Sequence, residues 1–309
     1  MRRLRLDRPS SPGATLARDV IGPNGEVIAR AGHALHERTI RALLGRGVTW
    51  CYVDDAWGDH VRVVPLDGGQ TNVRPLLRDV ETRLAAAVGP LLNMSTKSAI
   101  ESIRKARPTA PLRRARCIDD LPSVVRDFID ACEAAEAAGG WLVDRAAAED
   151  EAGHAIGVAA VTARLADLVG MSAPDRVEAV AGALLHDVGM MFVPKQVRLT
   201  PHDRRSVTER IRYEDHAILG EALLEPLASP SLHLAIVAGE HHEAVDGSGY
   251  PRKRLGGHRV LRTAEEKRDV DRMTLTSEVV AVADAYERAV APSADSPGRS
   301  PTAAHAARG

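Results

Sequence analysis

The chain has 309 residues, of which 44% are hydrophobic and 27% charged, close to globular averages; wholesale disorder, a collagen-like chain and a long coiled coil are excluded. Basic residues number 41 and acidic residues 42, for a net charge of -1, so nothing draws the whole molecule toward nucleic acid or an anionic membrane. With only 2 Phe, 3 Trp and 4 Tyr, the core is expected to be aliphatic.

Cys51, Cys117 and Cys132 are odd in number and lack CxxC spacing, which argues against a disulfide framework or a cysteine-built zinc site and fits a reducing cytoplasm. Pro9, Ser10, Ser11 and Pro12 stand where a secretory peptide needs its apolar core, and no uncharged run reaches the ~18 residues of a membrane helix. The expectation is a cytoplasmic protein with no membrane span.

Residues 1–65 read as a small α+β module. Val20 and Ile21, then Pro23-Asn24-Gly25, then Val27 and Ile28, make a hairpin signal. A helix is expected around Ile40, Leu43 and Leu44, and a strand over 48–53. Residues 66–120 read as a connector, with one amphipathic helix over 73–92 and a basic loop of Arg104, Lys105, Arg107, Arg113, Arg114 and Arg116 around Pro108 and Pro111. That loop carries no interleaved aromatic for stacking on bases, and is read as a solvated face, with no nucleic-acid partner.

From 121 to 290 the pattern is helical. Val124, Val125, Phe128, Ile129 and Cys132 mark one apolar face, and a helix over 155–168 should stop at Gly170. Ser172 with Asp175 three residues on caps the next helix. More helices are expected near 207–224, 231–243 and 276–290, and 291–309 reads as a disordered tail. The fold class is therefore mainly α: an all-helical domain preceded by the small α+β module.

Of the 12 histidines, seven lie between His154 and His242. His186-Asp187 and His241-His242-Glu243 both close apolar helices, with Gly189 and Asp246-Gly247 just beyond. Adjacent side chains on a helix diverge by ~100°, so such pairs serve as joint ligands where the helix ends. Imidazole and carboxylate together suit zinc, iron or manganese. A carboxylate can bridge two metals, and a pair ~3.5–4 Å apart activates water and clamps the oxygens of a displacement at phosphorus. The reaction class suggested is metal-assisted phosphoester hydrolysis.

The order H…HD…H…HH…D, with HDVG at 186–189 and HHEAVDGSGYP at 241–251, resembles the HD-GYP family of cyclic di-GMP phosphodiesterases over about residues 141–290. The stretch ARDVIGPNGEVIARAGHALHERTIRALLGRGV is similar to a small domain often placed before HD-GYP domains. The resemblance implies an HD-type metallohydrolase fold holding two divalent ions, iron or manganese. His154, His186, Asp187 and Asp284 would be the general metal ligands, with Asp187 as the bridge, and His216, His241 and His242 those of the second metal. His186 and Asp187 would be the catalytic pair. Asp150 stands where some members place a glutamate for a third metal, but its carboxylate is one carbon shorter. Asp284 also has a physical reading, since an acid amid Val279, Val280 and Val282 would be costly without a cation. His202, His233 and His258 match nothing in the pattern.

Gly249, Tyr250 and Pro251 match a loop beside the substrate that is also implicated in partner contacts, and the resemblance extends to diguanylate cyclase (GGDEF) domains as partners and to a homodimer. The implied activity is hydrolysis of cyclic di-GMP to pGpG or GMP. The chain departs from the family in three places. Met190 replaces the lysine of HDxGK, extra charged sequence spans 259–272, and Asp284 is followed by Ala-Tyr-Glu-Arg where the family continues DALTxxRPYR. Lys195, Arg252 and Lys253 are the candidates to hold substrate phosphates instead. These departures motivate an alternative, a degenerate module that binds nucleotide or a protein partner without turnover.

Overall fold

The computed structural model describes residues 2–6, 13–21, 26–54, 64–65, 73–105, 118–137, 141–142, 151–227, 233–256 and 273–290. The elements run β1 (Arg2–Arg5), β2 (Val20–Ile21), β3 (Val27–Ala29), α1 (Glu37–Leu44), β4 (Trp50–Val53), β5 (Val64–Pro65), α2 (Val73–Val88), α3 (Thr96–Lys105), α4 (Leu121–Ala137) and β6 (Trp141–Leu142). Thereafter the described elements are helical: α5 (Glu151–Leu168), α6 (Ala173–Leu185), α7 (Lys195–Leu199), α8 (Val207–Glu214), α9 (His216–Leu224), α10 (His233–Glu240) and α11 (Leu275–Val290). Two compact units form, one of Met1–Pro75, Asp130–Gly157 and Tyr286–Gly309, the other of Leu76–Ile129 and Val158–Ala285.

In the first unit β1 pairs antiparallel with β4, Leu4 opposite Cys51, and β2 with β3, Val20 opposite Ala29. Such short strands cannot stand alone, and burial holds them. Leu6, Leu16, Val20, Leu35, Leu43, Val48, Cys51 and Val53 form an aliphatic core, closed on one side by the Leu43 face of α1. The Pro23-Asn24-Gly25 turn lies outside the described residues, and β5 and β6 pair in parallel. Cys51 and Cys132 are buried thiols, and no disulfide forms among the described residues.

In the second unit the connector holds more helix than its sequence suggested. The segment expected as one helix over 73–92 is α2 followed by a 3-10 turn at Gly89–Leu91, and α3 follows it. The apolar stripe of α3 is brief, with Ala99 and Ile103 buried one turn apart among Lys97, Glu101 and Arg104. Its first residue is fixed by a contact distant in sequence: the Thr96 hydroxyl donates to Asp215 at 2.6 Å. The basic loop beyond Lys105, the 259–272 insertion and the 291–309 tail lie outside the described residues.

Helix α5 is followed by Gly170 at φ +71°, and Ser172 accepts the Asp175 N–H at 3.3 Å to start α6. The stretch expected near 207–224 is two helices. A capping box of Ser206 and Glu209 opens α8, and the chain turns at Asp215 so that His216 begins α9. Helix α10 ends at Glu240, short of the expected 243, leaving His241 and His242 just past its end. After α6 the chain tightens into a 3-10 turn, Val188–Phe192, packed closely on α9. Gly189 makes that approach possible: a Cβ there would lie 2.0 Å from the His216 carbonyl oxygen and 2.6 Å from the Gly220 nitrogen.

Candidate metal centre

Within the second unit, three helix ends and one helix bring ligand-type side chains together. His186 caps α6, and Asp187 leaves the helix at φ -94° and ψ 12°. His216 opens α9, His241 and His242 follow α10, and Asp284 projects from α11. His186, His216, His241 and Asp284 are all buried.

Three of the rings are oriented the same way. Nδ1 of His186 lies 2.7 Å from the Ala183 carbonyl, Nδ1 of His216 2.5 Å from that of Tyr213, and Nδ1 of His241 2.9 Å from that of Ala238. A carbonyl can only accept, so in each neutral ring Nδ1 carries the proton and Nε2 carries the lone pair.

Those Nε2 atoms converge on Asp187. Its Oδ1 lies 3.2 Å from His216 Nε2 and 3.4 Å from His241 Nε2, while its Oδ2 lies 3.4 Å from His186 Nε2. His186 Nε2 is also 3.7 Å from Asp284 Oδ1, and His242 Nδ1 is 4.0 Å from Asp284 Oδ2. The Asp187 carboxylate thus turns one oxygen to each side of the cluster. Ligand atoms of Asp187, His216, His241 and His242 all lie within 4.8 Å of one another.

Charge is unevenly divided across the cluster. Burial opposes charge on His186, but Asp187 and Asp284 overcome it and raise its pKa to about 10. Burial lowers His241 to about 4, with His186 and His216 adding to the effect against the pull of Asp187. Two carboxylates therefore retain positive charge at one ring while the neighbouring ring stays neutral. The donor set of imidazole nitrogen and carboxylate oxygen fits a divalent transition ion.

The loop after His242 closes over the cluster. Tyr250 stacks on the His242 ring at 4.7 Å between centroids and donates its N–H to the His242 carbonyl at 3.1 Å. Gly249 sits against the same segment, where a Cβ would fall 2.4 Å from the His242 oxygen and 2.3 Å from the Ala244 nitrogen. Buried Glu243 holds the loop beyond Pro251, accepting the N–H groups of Arg252 at 2.6 Å and Arg254 at 2.8 Å. The Arg252 guanidinium pairs with Glu221 and that of Arg254 with Glu240, which also accepts the Thr274 N–H at 3.2 Å. Sequence reading missed this acidic frame. Glu240 carried a signal akin to that of Asp284, an acid adjoining an apolar run, here Leu234 to Gly239.

Other residues singled out in the sequence have different surroundings. Met190 is core, packed with Val193, Val197 and Tyr213. Lys195, at the start of α7, and Lys253 are exposed. Asp150 lies outside the described residues. His154 is buried with its Nδ1 2.5 Å from Glu287, and its ligand atom groups with those of His186 and Asp187 within 4.8 Å.

Comparison with known proteins gives the family of the chain. The model of the HD domain family matches residues 133–307, and the chain belongs to that family, whose members bind divalent metals. It is 33% identical over 136 residues to a 3'3'-cGAMP-specific phosphodiesterase of Vibrio cholerae, covering 44% of this chain and 26% of that protein. It is 36% identical over 100 residues to a cyclic di-GMP phosphodiesterase of Thermotoga maritima, covering 32% of this chain and 27% of that one. The chain thus spans about a quarter of the length of these curated relatives. Among solved structures it is similar to an HDG"Y"P protein from Bdellovibrio bacteriovorus, at TM-score 0.47 and 17% identity, over 93% of this chain and 87% of that one. No helix among the described residues is long and apolar enough to cross a membrane.

Proposed function

We propose that the chain is a metal-dependent phosphodiesterase that opens cyclic dinucleotides, cyclic di-GMP first among them, to pGpG or GMP. The observation that carries this reading is Asp187, whose Oδ1 faces His216 and His241 while Oδ2 faces His186, the disposition of a carboxylate that bridges two ions. His154, His186, Asp187 and Asp284 would hold one ion, and His216, His241 and His242 with Asp187 the other, with iron or manganese as the proposed metals. Divalent ions at such a site make water acidic and draw charge from phosphoryl oxygens.

The chain's own groups do the rest. Backbone carbonyls fix the tautomers of His186, His216 and His241, and Asp187 and Asp284 place negative charge where cations bind. Tyr250, stacked on His242, offers an aromatic edge beside the phosphate, and Gly249 and Pro251 shape that wall. Lys195 and Arg252 are the proposed phosphate contacts. The same loop is the proposed surface for a GGDEF partner, and the reading extends to a homodimer and the cytoplasm.

A second reading has one observation in its favour. Met190 occupies the position of the HDxGK lysine and is buried in an aliphatic cluster, so it supplies no charge to a leaving oxygen. A binding module without turnover would follow. One experiment separates the two: anaerobically purified protein is assayed for metal content and for turnover of cyclic di-GMP and 3'3'-cGAMP on the same sample. Two ions with turnover supports the phosphodiesterase; two ions without turnover supports the binding module; protein that takes up no metal overturns both.

A further inference from the structure

Glu287 follows Asp284 by three residues on α11, and its side chain is only 8% exposed. Its partner is His154, equally buried on α5, with Oε2 of the acid 2.5 Å from Nδ1 of the ring. Space for this contact comes from Gly157, one turn further along α5. A Cβ at 157 would stand 3.0 Å from Glu287 Cγ and 3.2 Å from its Oε1. A polar contact sealed from water contributes little net stability, because desolvation offsets its attraction. A pair that also sits tightly against a glycine in mid-helix, a position where glycine lowers helix propensity, calls for another reason.

His154 also differs from its counterparts. The rings of His186, His216 and His241 rest their Nδ1 on neutral carbonyls three residues earlier, whereas that of His154 rests on a carboxylate. A carboxylate fixes the tautomer as a carbonyl does, and in addition its charge makes the opposite nitrogen a stronger donor.

We propose that Glu287 is a positioning residue for His154: it holds Nδ1–H and leaves Nε2 as a strengthened ligand atom, so that the metal site served by His154 is the tighter of the two. This rests on the metal-centre reading above. Glu287 stands in the short Ala-Tyr-Glu-Arg run after Asp284, where the sequence leaves the family pattern.

The test is titration of the metal-free full-length protein with Mn²⁺, with Kd read by calorimetry for the wild type, Glu287→Gln and Glu287→Ala, alongside the thermal midpoint of each metal-free form. Glu287→Ala is expected to weaken one site by ~10- to 100-fold and spare the other. Glu287→Gln, which keeps an acceptor of the same shape, is expected to show a smaller loss at the same site with an unchanged midpoint, and it carries the test if the alanine variant does not fold. Wild-type affinity in Glu287→Gln and Glu287→Ala, or equal loss at both sites together with a lowered midpoint, overturns the proposal. A wild type that binds no Mn²⁺ overturns the metal-centre reading, and this inference with it.

Discussion

Nε2 of His216 and Nε2 of His241 face each other across 3.2 Å. With both Nδ1 atoms on carbonyls, two lone pairs meet there, an arrangement that is repulsive until a proton or a metal ion comes between them. Asp187 Oδ1 lies within 3.4 Å of both nitrogens. Asp187→Asn keeps the size of this group and removes its charge. Metal content measured by elemental analysis should fall from two ions to one or none, and phosphodiesterase turnover by ~10³-fold or more. Full metal retention in the asparagine variant would show that Asp187 is not the bridge.

The histidine pKa values give a pH signature for the metal-free protein. His241 is lowered from 6.5 to about 4, so its contribution to stability is complete above pH 6.5 and is lost as pH falls through 4. His186 is raised from 6.5 to about 10, so its contribution is complete below pH 6.5 and is lost as pH rises through 10. The unfolding midpoint of metal-free protein should therefore peak near pH 6.5 and decline on both sides. Metal uptake must displace the His186 proton, so affinity for Mn²⁺ should rise with pH over this alkaline window. A metal-free midpoint that climbs steadily from pH 6.5 to 10 would contradict the assignment.

The candidate ligands stood out in the sequence because they fall at helix ends in a distinctive order, and the structure places His186, Asp187, His216, His241, His242 and Asp284 near one another. The aliphatic core of the first unit followed from the scarcity of aromatics. What escaped depends on partners far away in the chain. Helix α3 has too brief a stripe to announce itself and is held through Thr96 on Asp215, 119 positions later. Glu243 looks like any acid after a histidine pair until the Arg252 and Arg254 amides fold back on it. The break at Asp215 was hidden for another reason: helical propensity runs through it, and only tertiary packing sets His216 at a helix start.

Met190 invites restoration of the lysine. Its side chain is buried against Val193, Val197 and Tyr213, so Met190→Lys places an ammonium among apolar groups. Denaturant unfolding should show a loss of roughly 3–5 kcal/mol, as for an uncompensated buried charge. Met190→Leu conserves volume and should cost less than ~1.5 kcal/mol. Stability in the lysine variant equal to wild type, together with raised turnover, would show that the pocket at 190 opens toward the substrate and that the methionine limits the rate.

Gly189 gives the sharpest steric test. A methyl group at 189 would meet the His216 carbonyl oxygen at 2.0 Å and the Gly220 nitrogen at 2.6 Å, and neither backbone atom can rotate away. Gly189→Ala must therefore push the 3-10 turn off α9, and with it Asp187 two residues earlier away from His216. Overpacking of this kind costs ~1–3 kcal/mol or more. A shift of about 1 Å at Asp187, the proposed bridge, is enough to cost ~10²-fold in rate. Gly170→Ala is the control: φ there is +71° and nothing lies within 4 Å, so the variant should lose only ~1–2 kcal/mol of backbone strain and keep its metals. Calorimetric titration of both variants with Mn²⁺ decides the matter. Equal affinities at 189 and 170 would mean that the close approach of the turn to α9 does not set the position of Asp187.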